Sequence, residues 1–144
     1  MDLEFQRLDP DAPLPAFAHE GDAGLDLRAN ADRVIEPGER ALLPTGLAVA
    51  IPPGYAGLVL PRSGLASRHG LTLANAPGLI DAGYRGEITL AVVNLDPGEP
   101  VAVRRGDRIA QLVLVAFAPA EPVAVEELPA SERGTGGFGS SGSG

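Results

Sequence analysis

The chain has 144 residues, 44% of them hydrophobic and only 4% aromatic, with a net charge of −8. That composition supports one domain with an aliphatic core, excludes global disorder and argues against a general polyanion binder. There is no Cys and no Lys, which removes disulfides, thiolate metal sites, Cys nucleophiles, Schiff-base chemistry and the lysine of a P-loop.

Met1-Asp2-Leu3-Glu4 is acidic and precedes no apolar run, so no secretory signal and a cytoplasmic location are expected. The 19 Gly and 14 Pro cut the chain into short apolar runs rich in β-branched residues, the pattern of many short strands rather than a helical bundle. Strands are expected at Val34-Ile35, Ala41 to Leu43, Leu47 to Ile51 and Leu58 to Leu60. Further strands are expected at Leu71 to Leu73, Glu87 to Asn94, Val101 to Val103, Arg108 to Val115 and Val123 to Val125. Ala41 to Pro61 carries no charge, but Pro44, Pro52, Pro53, Gly46, Gly54 and Gly57 forbid a membrane helix there. Pro37-Gly38-Glu39 precedes Gly46 as Pro97-Gly98-Glu99 precedes Gly106, a repeated hairpin device. One short helix is expected from Ser63 to Gly70, with Ser63 as N-cap and Gly70 as left-handed C-cap. From Ser131 to Gly144, 10 of 14 residues are Gly or Ser, which taken alone reads as a flexible tail. Only two His exist, His19 and His69, so a His-based metal site is not expected.

Five patches stand out against this background. They are Ala23-Gly24-Leu25-Asp26-Leu27, Pro61-Arg62-Ser63-Gly64-Leu65-Ala66, the run Asn75 to Glu87, Gly106-Asp107-Arg108-Ile109-Ala110-Gln111, and Arg133 to Ser141. Arg62-Ser63-Gly64 combines a guanidinium fork, a hydroxyl and a helix start, a set suited to phosphate. Taken singly it is also an ordinary helix cap. Asn75 to Glu87 reads as a β-hairpin whose backbone and Asn75 amide could line a slot for a flat base. Gly134, Gly136 and Gly139 match the dinucleotide fingerprint in spacing, but neither a βα unit nor a following helix accompanies them. Asp26 reads equally as a turn carboxylate, and Asp107-Arg108 reads as a structural ion pair at a turn.

In this order and spacing the five patches resemble the five motifs of the trimeric deoxyuridine triphosphatases (dUTPases), over about residues 21 to 142. The resemblance implies an all-β, jelly-roll-type distorted barrel at 1–130, a homotrimer, and a flexible Gly-rich arm at 131–144 that closes over the site. It implies hydrolysis of dUTP to dUMP and pyrophosphate, which limits uracil in DNA and supplies dUMP for thymidylate synthesis. On that likeness, Arg62, Ser63, Gly64 and Gln111 meet the phosphates, while Asn75, Leu79, Ile80 and Thr89 surround uracil. Asp81 is the catalytic carboxylate, and Tyr84 packs on the sugar and excludes a 2′-hydroxyl. Arg133, Gly139, Ser140 and Ser141 grip the terminal phosphates, and Phe138 stacks on the base. Ser141 stands where the family often has Thr, which keeps the hydroxyl. Mg²⁺ is the implied cofactor, held mainly by substrate phosphates with Asp26 acting through water. No nucleic-acid or membrane partner is implied. His69, Arg85 and Glu87 are left as structural or interfacial. Two other readings stand beside this one: a dCTP deaminase or bifunctional deaminase–dUTPase of the same fold, and a catalytically silent jelly-roll binding module.

Overall fold

The computed structural model describes residues 1–144. The strands are β1 Glu4–Arg7, β2 Ala16–Phe17, β3 Leu25–Arg28, β4 Arg33–Ile35, β5 Arg40–Ala50, β6 Tyr55–Pro61, β7 Leu71–Leu73, β8 Gly78–Ile80, β9 Glu87–Asn94, β10 Val101–Val103 and β11 Arg108–Ala116, with one helix, α1 Ser63–His69. They form open sheets: a four-stranded one ordered β1-β5-β9-β7, a five-stranded one ordered β2-β3-β11-β6-β8, and the pair β10-β4. This is the expected all-β jelly-roll-type architecture. The helix is too short to cross a membrane.

Alternation along the strands builds the core. In β9, Ile88, Leu90, Val92 and Asn94 are buried while the residues between them are not, the period of a half-buried strand. The buried cluster of 18 residues contains only Ala, Val, Ile and Leu, as the low aromatic content requires. Leu112 has no exposed surface, and truncating such a side chain to Ala costs about 2–5 kcal/mol. Asn94, equally buried, is tolerated because its amide donates to the carbonyls of Ile35 (3.0 Å) and Glu99 (2.9 Å) and accepts from the Asp96 N–H (2.9 Å).

Five expectations need correction. Ala41 to Leu43 and Leu47 to Ile51 belong together: β5 runs through Pro44 and Gly46, with the break reduced to a register shift between Pro44 and Ala48. Gly46 there has φ +70°, and its N–H donates to the Glu87 carboxylate at 2.8 Å. The Pro-Gly-Glu echo therefore diverges, since Gly106 lies in a turn and Gly46 in a bulge within a strand. Val123 to Val125 forms no strand. Val123 and Val125 are 75% and 60% exposed, so this short apolar run has neither a pairing strand nor a core to enter. Asn75 to Glu87 is not a hairpin, because β8 pairs with β6 and β9 pairs with β5 and β7; the loop between them crosses from one sheet to the other. Finally, Arg62, extended at φ −95° and ψ 127°, is the N-cap of α1 in place of Ser63, and no side chain caps the helix. Gly70 is the left-handed C-cap as expected, at φ 68°.

Candidate active site

Two pockets collect most of the residues singled out above. The first opens between the two large sheets, at the β8 edge. Its volume is about 170 Å³, several times the ~30 Å³ share of one water. Asn75, Leu79, Ile80, Tyr84 and Thr89 all line it, with Glu87 at its side. β8 is the last strand of its sheet, so one row of its backbone N–H and C=O groups is left without a strand partner. Gly78 keeps the mouth open: a Cβ there would meet the Asn75 amide nitrogen at 3.2 Å.

The second pocket, about 620 Å³, lies on the outer face of the five-stranded sheet and gathers Asp26, Arg62, Ser63, Gly64, Arg108 and Gln111. Register explains why. Gln111 of β11 stands opposite Asp26 of β3 on one side and Leu60 of β6 on the other. Directly paired residues share a face, so these three point outward while Leu27, Ala110, Leu112 and Val59 point into the core. Gln111 donates its amide to the Pro61 carbonyl at 3.1 Å. Gly24 leaves the space that Gln111 occupies, since a Cβ there would collide with the Gln111 amide oxygen.

Asp26 organises the charges of this pocket. One carboxylate oxygen lies 3.6 Å from Arg62 Nε and the other 3.3 Å from Arg108. Arg62 also donates to the Arg108 carbonyl at 3.2 Å. Two guanidiniums share the Asp26 carboxylate, and Asp22 also lines the pocket, so its formal charges balance; the planar forks of the two arginines suit phosphate oxygens.

Arg108 lines this pocket against the expectation of strand alternation. In a regular strand it would share the inward face of Ala110 and Leu112. The register shift between Arg108 and Ala110, visible as consecutive buried residues Ile109 and Ala110, is a bulge that turns Arg108 outward beside Gln111. The expected Asp107–Arg108 pair is absent: Asp107 accepts from the Arg104 N–H at 2.9 Å, and Arg108 pairs with Asp26. His19 also lines this pocket, where its backbone N–H donates to the Asp22 carboxylate at 2.8 Å; no sequence signal pointed to it.

The remaining residues stand apart. Asp81 is exposed in the loop after β8 and lines neither pocket. Its carbonyl accepts the Tyr84 N–H at 3.0 Å. Arg133, Phe138, Gly139, Ser140 and Ser141 lie in a chain of turns, with Arg133 bonded to the Gly136 carbonyl at 2.7 Å. Phe138 is fully exposed with φ 47°. No residue lines both pockets, and the strand between them contributes Val59 to one and Leu60 to the other.

Residues 10–142 match the family model described as dUTPase. The chain is 59% identical over 140 residues to a deoxyuridine 5′-triphosphate nucleotidohydrolase of Thermobifida fusca, covering 97% of this chain and 78% of that protein. The dUTPase of Staphylococcus bacteriophage 80alpha, solved with dUPNHPP, superposes with a TM-score of 0.90 at 35% identity over 99% of both chains. A mutant dUTPase of phage phi11 of S. aureus, whose structure describes coordination of a structural Mg(II) ion, gives a TM-score of 0.81 at 31% identity, over 88% of this chain and 98% of that one.

Proposed function

The chain belongs to the dUTPase family and hydrolyses dUTP to dUMP and pyrophosphate, and from that premise we propose how its residues divide the work. The observation that carries the assignment is the sorting of the motif residues into a base-sized slot on a free strand edge and an arginine-bearing pocket on the opposite face of β6.

Uracil enters the first pocket and pairs with the free edge of β8 and with Asn75, in the manner of a base pair. A cytosine there would leave polar groups unpaired, and such mismatches are rejected strongly. Tyr84 packs on the deoxyribose. The triphosphate lies in the second pocket against Arg62, Arg108, Ser63, Gly64 and Gln111. Asp81 orients a water and takes its proton as the water oxygen bonds to the α-phosphorus. The bond from that phosphorus to the bridging oxygen of the β-phosphate breaks, and pyrophosphate leaves. Positioning and charge stabilisation supply most of the catalysis in such transfers.

The proposed cofactor is Mg²⁺. The chain has no cluster of three or more His, Asp or Glu side chains able to cage a metal, whereas Mg²⁺ typically keeps water and binds through phosphates and one or two carboxylates. Asp26, the carboxylate set between the two arginines, fits that role through water. When bound, the ion neutralises charge along the triphosphate.

The two pockets open on opposite faces of β6 and share no lining residue, an arrangement that favours a nucleotide shared between chains. We therefore place each site between copies in a homotrimer, with uracil read by one copy and phosphates held by another. Cyclic symmetry repeats such a contact three times and closes it. Residues 118–144 make no hydrogen bond to the body of the chain. The arm 131–144 is proposed to close over a site in which Arg133, Gly139, Ser140 and Ser141 meet phosphate and Phe138 stacks on uracil. The cytoplasm is the proposed location, and no nucleic-acid partner is proposed for so acidic a chain. Pyrophosphate release measured with dUTP, dCTP, dTTP and UTP tests the assignment. Turnover confined to dUTP is expected; equal turnover of dCTP or UTP would overturn the proposed base and sugar readout.

A further inference from the structure

We infer that Gly86 is a positioning residue that sets the discrimination between deoxyribose and ribose by seating the ring of Tyr84; the inference rests on the proposed sugar contact of Tyr84. Tyr84 is half-exposed, at 47%, and an exposed ring on a loop has no packing of its own to fix it. Three local contacts do so instead. The Tyr84 N–H donates to the Asp81 carbonyl at 3.0 Å. The Tyr84 hydroxyl donates to the Glu87 carbonyl at 2.9 Å. Arg85 closes the loop from the other side, donating to the carbonyls of Ala82 (2.6 Å) and Tyr84 (2.9 Å).

The hydroxyl end of the phenol lies against the backbone at residue 86. A Cβ added there would overlap the hydroxyl oxygen and come within 2.6 Å of Cζ and 3.0 Å of Cε2. Real Cβ atoms do not approach so closely, so one group must move. The backbone of Gly86 is not in the left-handed region, so alanine can adopt it without strain. The group that moves is then the phenol, which is the free end of a side chain with solvent beside it. Gly86→Ala is therefore expected to leave the fold intact, break the bond to Glu87 and swing the ring off its seat. A ring displaced by an ångström no longer blocks a 2′-hydroxyl, and misplacement of that size costs up to about a hundred-fold.

The test is a double-mutant cycle on Gly86→Ala and Tyr84→Ala, read as the ratio of kcat/KM for dUTP to that for UTP, with melting temperature as the control for folding. Gly86→Ala is expected to lower the ratio about ten-fold or more with an unchanged melting temperature. Tyr84→Ala should lower it as far, and the double variant should match Tyr84→Ala, because without the ring there is nothing for the new methyl to displace. If Tyr84→Ala leaves the ratio unchanged, the sugar contact itself is wrong. If Tyr84→Ala lowers it while Gly86→Ala does not, the sugar contact stands and the positioning role falls. Additive effects in the double variant would also overturn it.

Discussion

The two pockets on either side of β6 are built by different means. The slot at the β8 edge is a backbone device: an unpaired strand edge, one glycine that keeps it open and one amide, Asn75, at its mouth. The outer-face pocket is a side-chain device: two arginines set around Asp26, with Gln111 tethered to Pro61. Backbone groups held in a sheet read shape and hydrogen-bond pattern with little freedom to adapt. Guanidiniums on part-exposed side chains, set around a largely buried Asp26, supply charge. The first region therefore suits selection of a base, and the second suits a polyanion. Substitutions should separate the two.

The largest expected effect belongs to neither pocket. Asp81→Asn keeps the shape of the loop and removes the base, so kcat should fall about 10²–10⁴-fold with a nearly unchanged Kd for a non-hydrolysable dUTP analogue. Stopped-assay kinetics and calorimetry measure the two. Truncation after Ala130 comes next. Turnover should fall by about a hundred-fold, because closure no longer holds the triphosphate in its reactive pose. The melting temperature without ligand should stay the same, since no strand follows Ala116.

Asp26→Ala sharpens the comparison from the charged side. It removes the carboxylate that positions both guanidiniums and that is proposed to hold Mg²⁺ through water, and a hydrogen bond to a charged group is worth about 1.5–3 kcal/mol. The KM for dUTP should rise roughly ten-fold or more, while binding of deoxyuridine, which has no phosphate, should be unaffected. Asn75→Ala sharpens it from the other side. Loss of one neutral hydrogen bond, about 1 kcal/mol, should narrow the preference for dUTP over dCTP several-fold and leave pyrophosphate inhibition unchanged.

The smallest effect concerns groups outside both pockets. The carboxyl of Asp9 is held below the ordinary range by the Asn30 amide, then by the Asp11 N–H and by Arg105. Glu39 is held down by the Glu36 N–H and by Arg33, and Asp96 by the N–H groups of Gly98 and Glu99, with His69 nearby. Each is lower in the folded chain than in the unfolded one. The stability they contribute is present above the unfolded value of about 4 and is lost as pH falls through the folded values. A melting series should show a modest decline below about pH 4.

Much of this was legible in the sequence, for identifiable reasons. Glu87 to Asn94 and Val101 to Val103 are runs rich in β-branched residues with no Gly or Pro inside them, so their strands are found to the residue. Gly70 ends the helix because only a left-handed residue fits there; a Cβ would also come within 2.6 Å of the Asp96 amide nitrogen. The five patches stand out through local chemistry, such as an Arg beside a helix start, while the roles given to their residues come from the family resemblance. What escaped depends on irregularity and on distant pairing. The bulge at Ile109 turns Arg108 outward, and no composition signal marks it. Asn75 to Glu87 looks like a hairpin because both flanks are strand-like, and only the pairing of β8 with β6 places them in different sheets. Val123 to Val125 reads as a strand because it is a short apolar, β-branched run, although nothing within the chain covers it.

The central claim is that the two halves of each site come from different copies of the chain. An Asp81→Asn variant and an Arg62→Ala variant, each inactive alone, should be unfolded together in equal amounts, refolded, and assayed for pyrophosphate release from dUTP. Random assortment in a closed trimer then predicts about a quarter of full activity, since some sites combine an intact Asp81 from one copy with an intact Arg62 from another. A mixture as inactive as its components would mean that each site is built within a single chain.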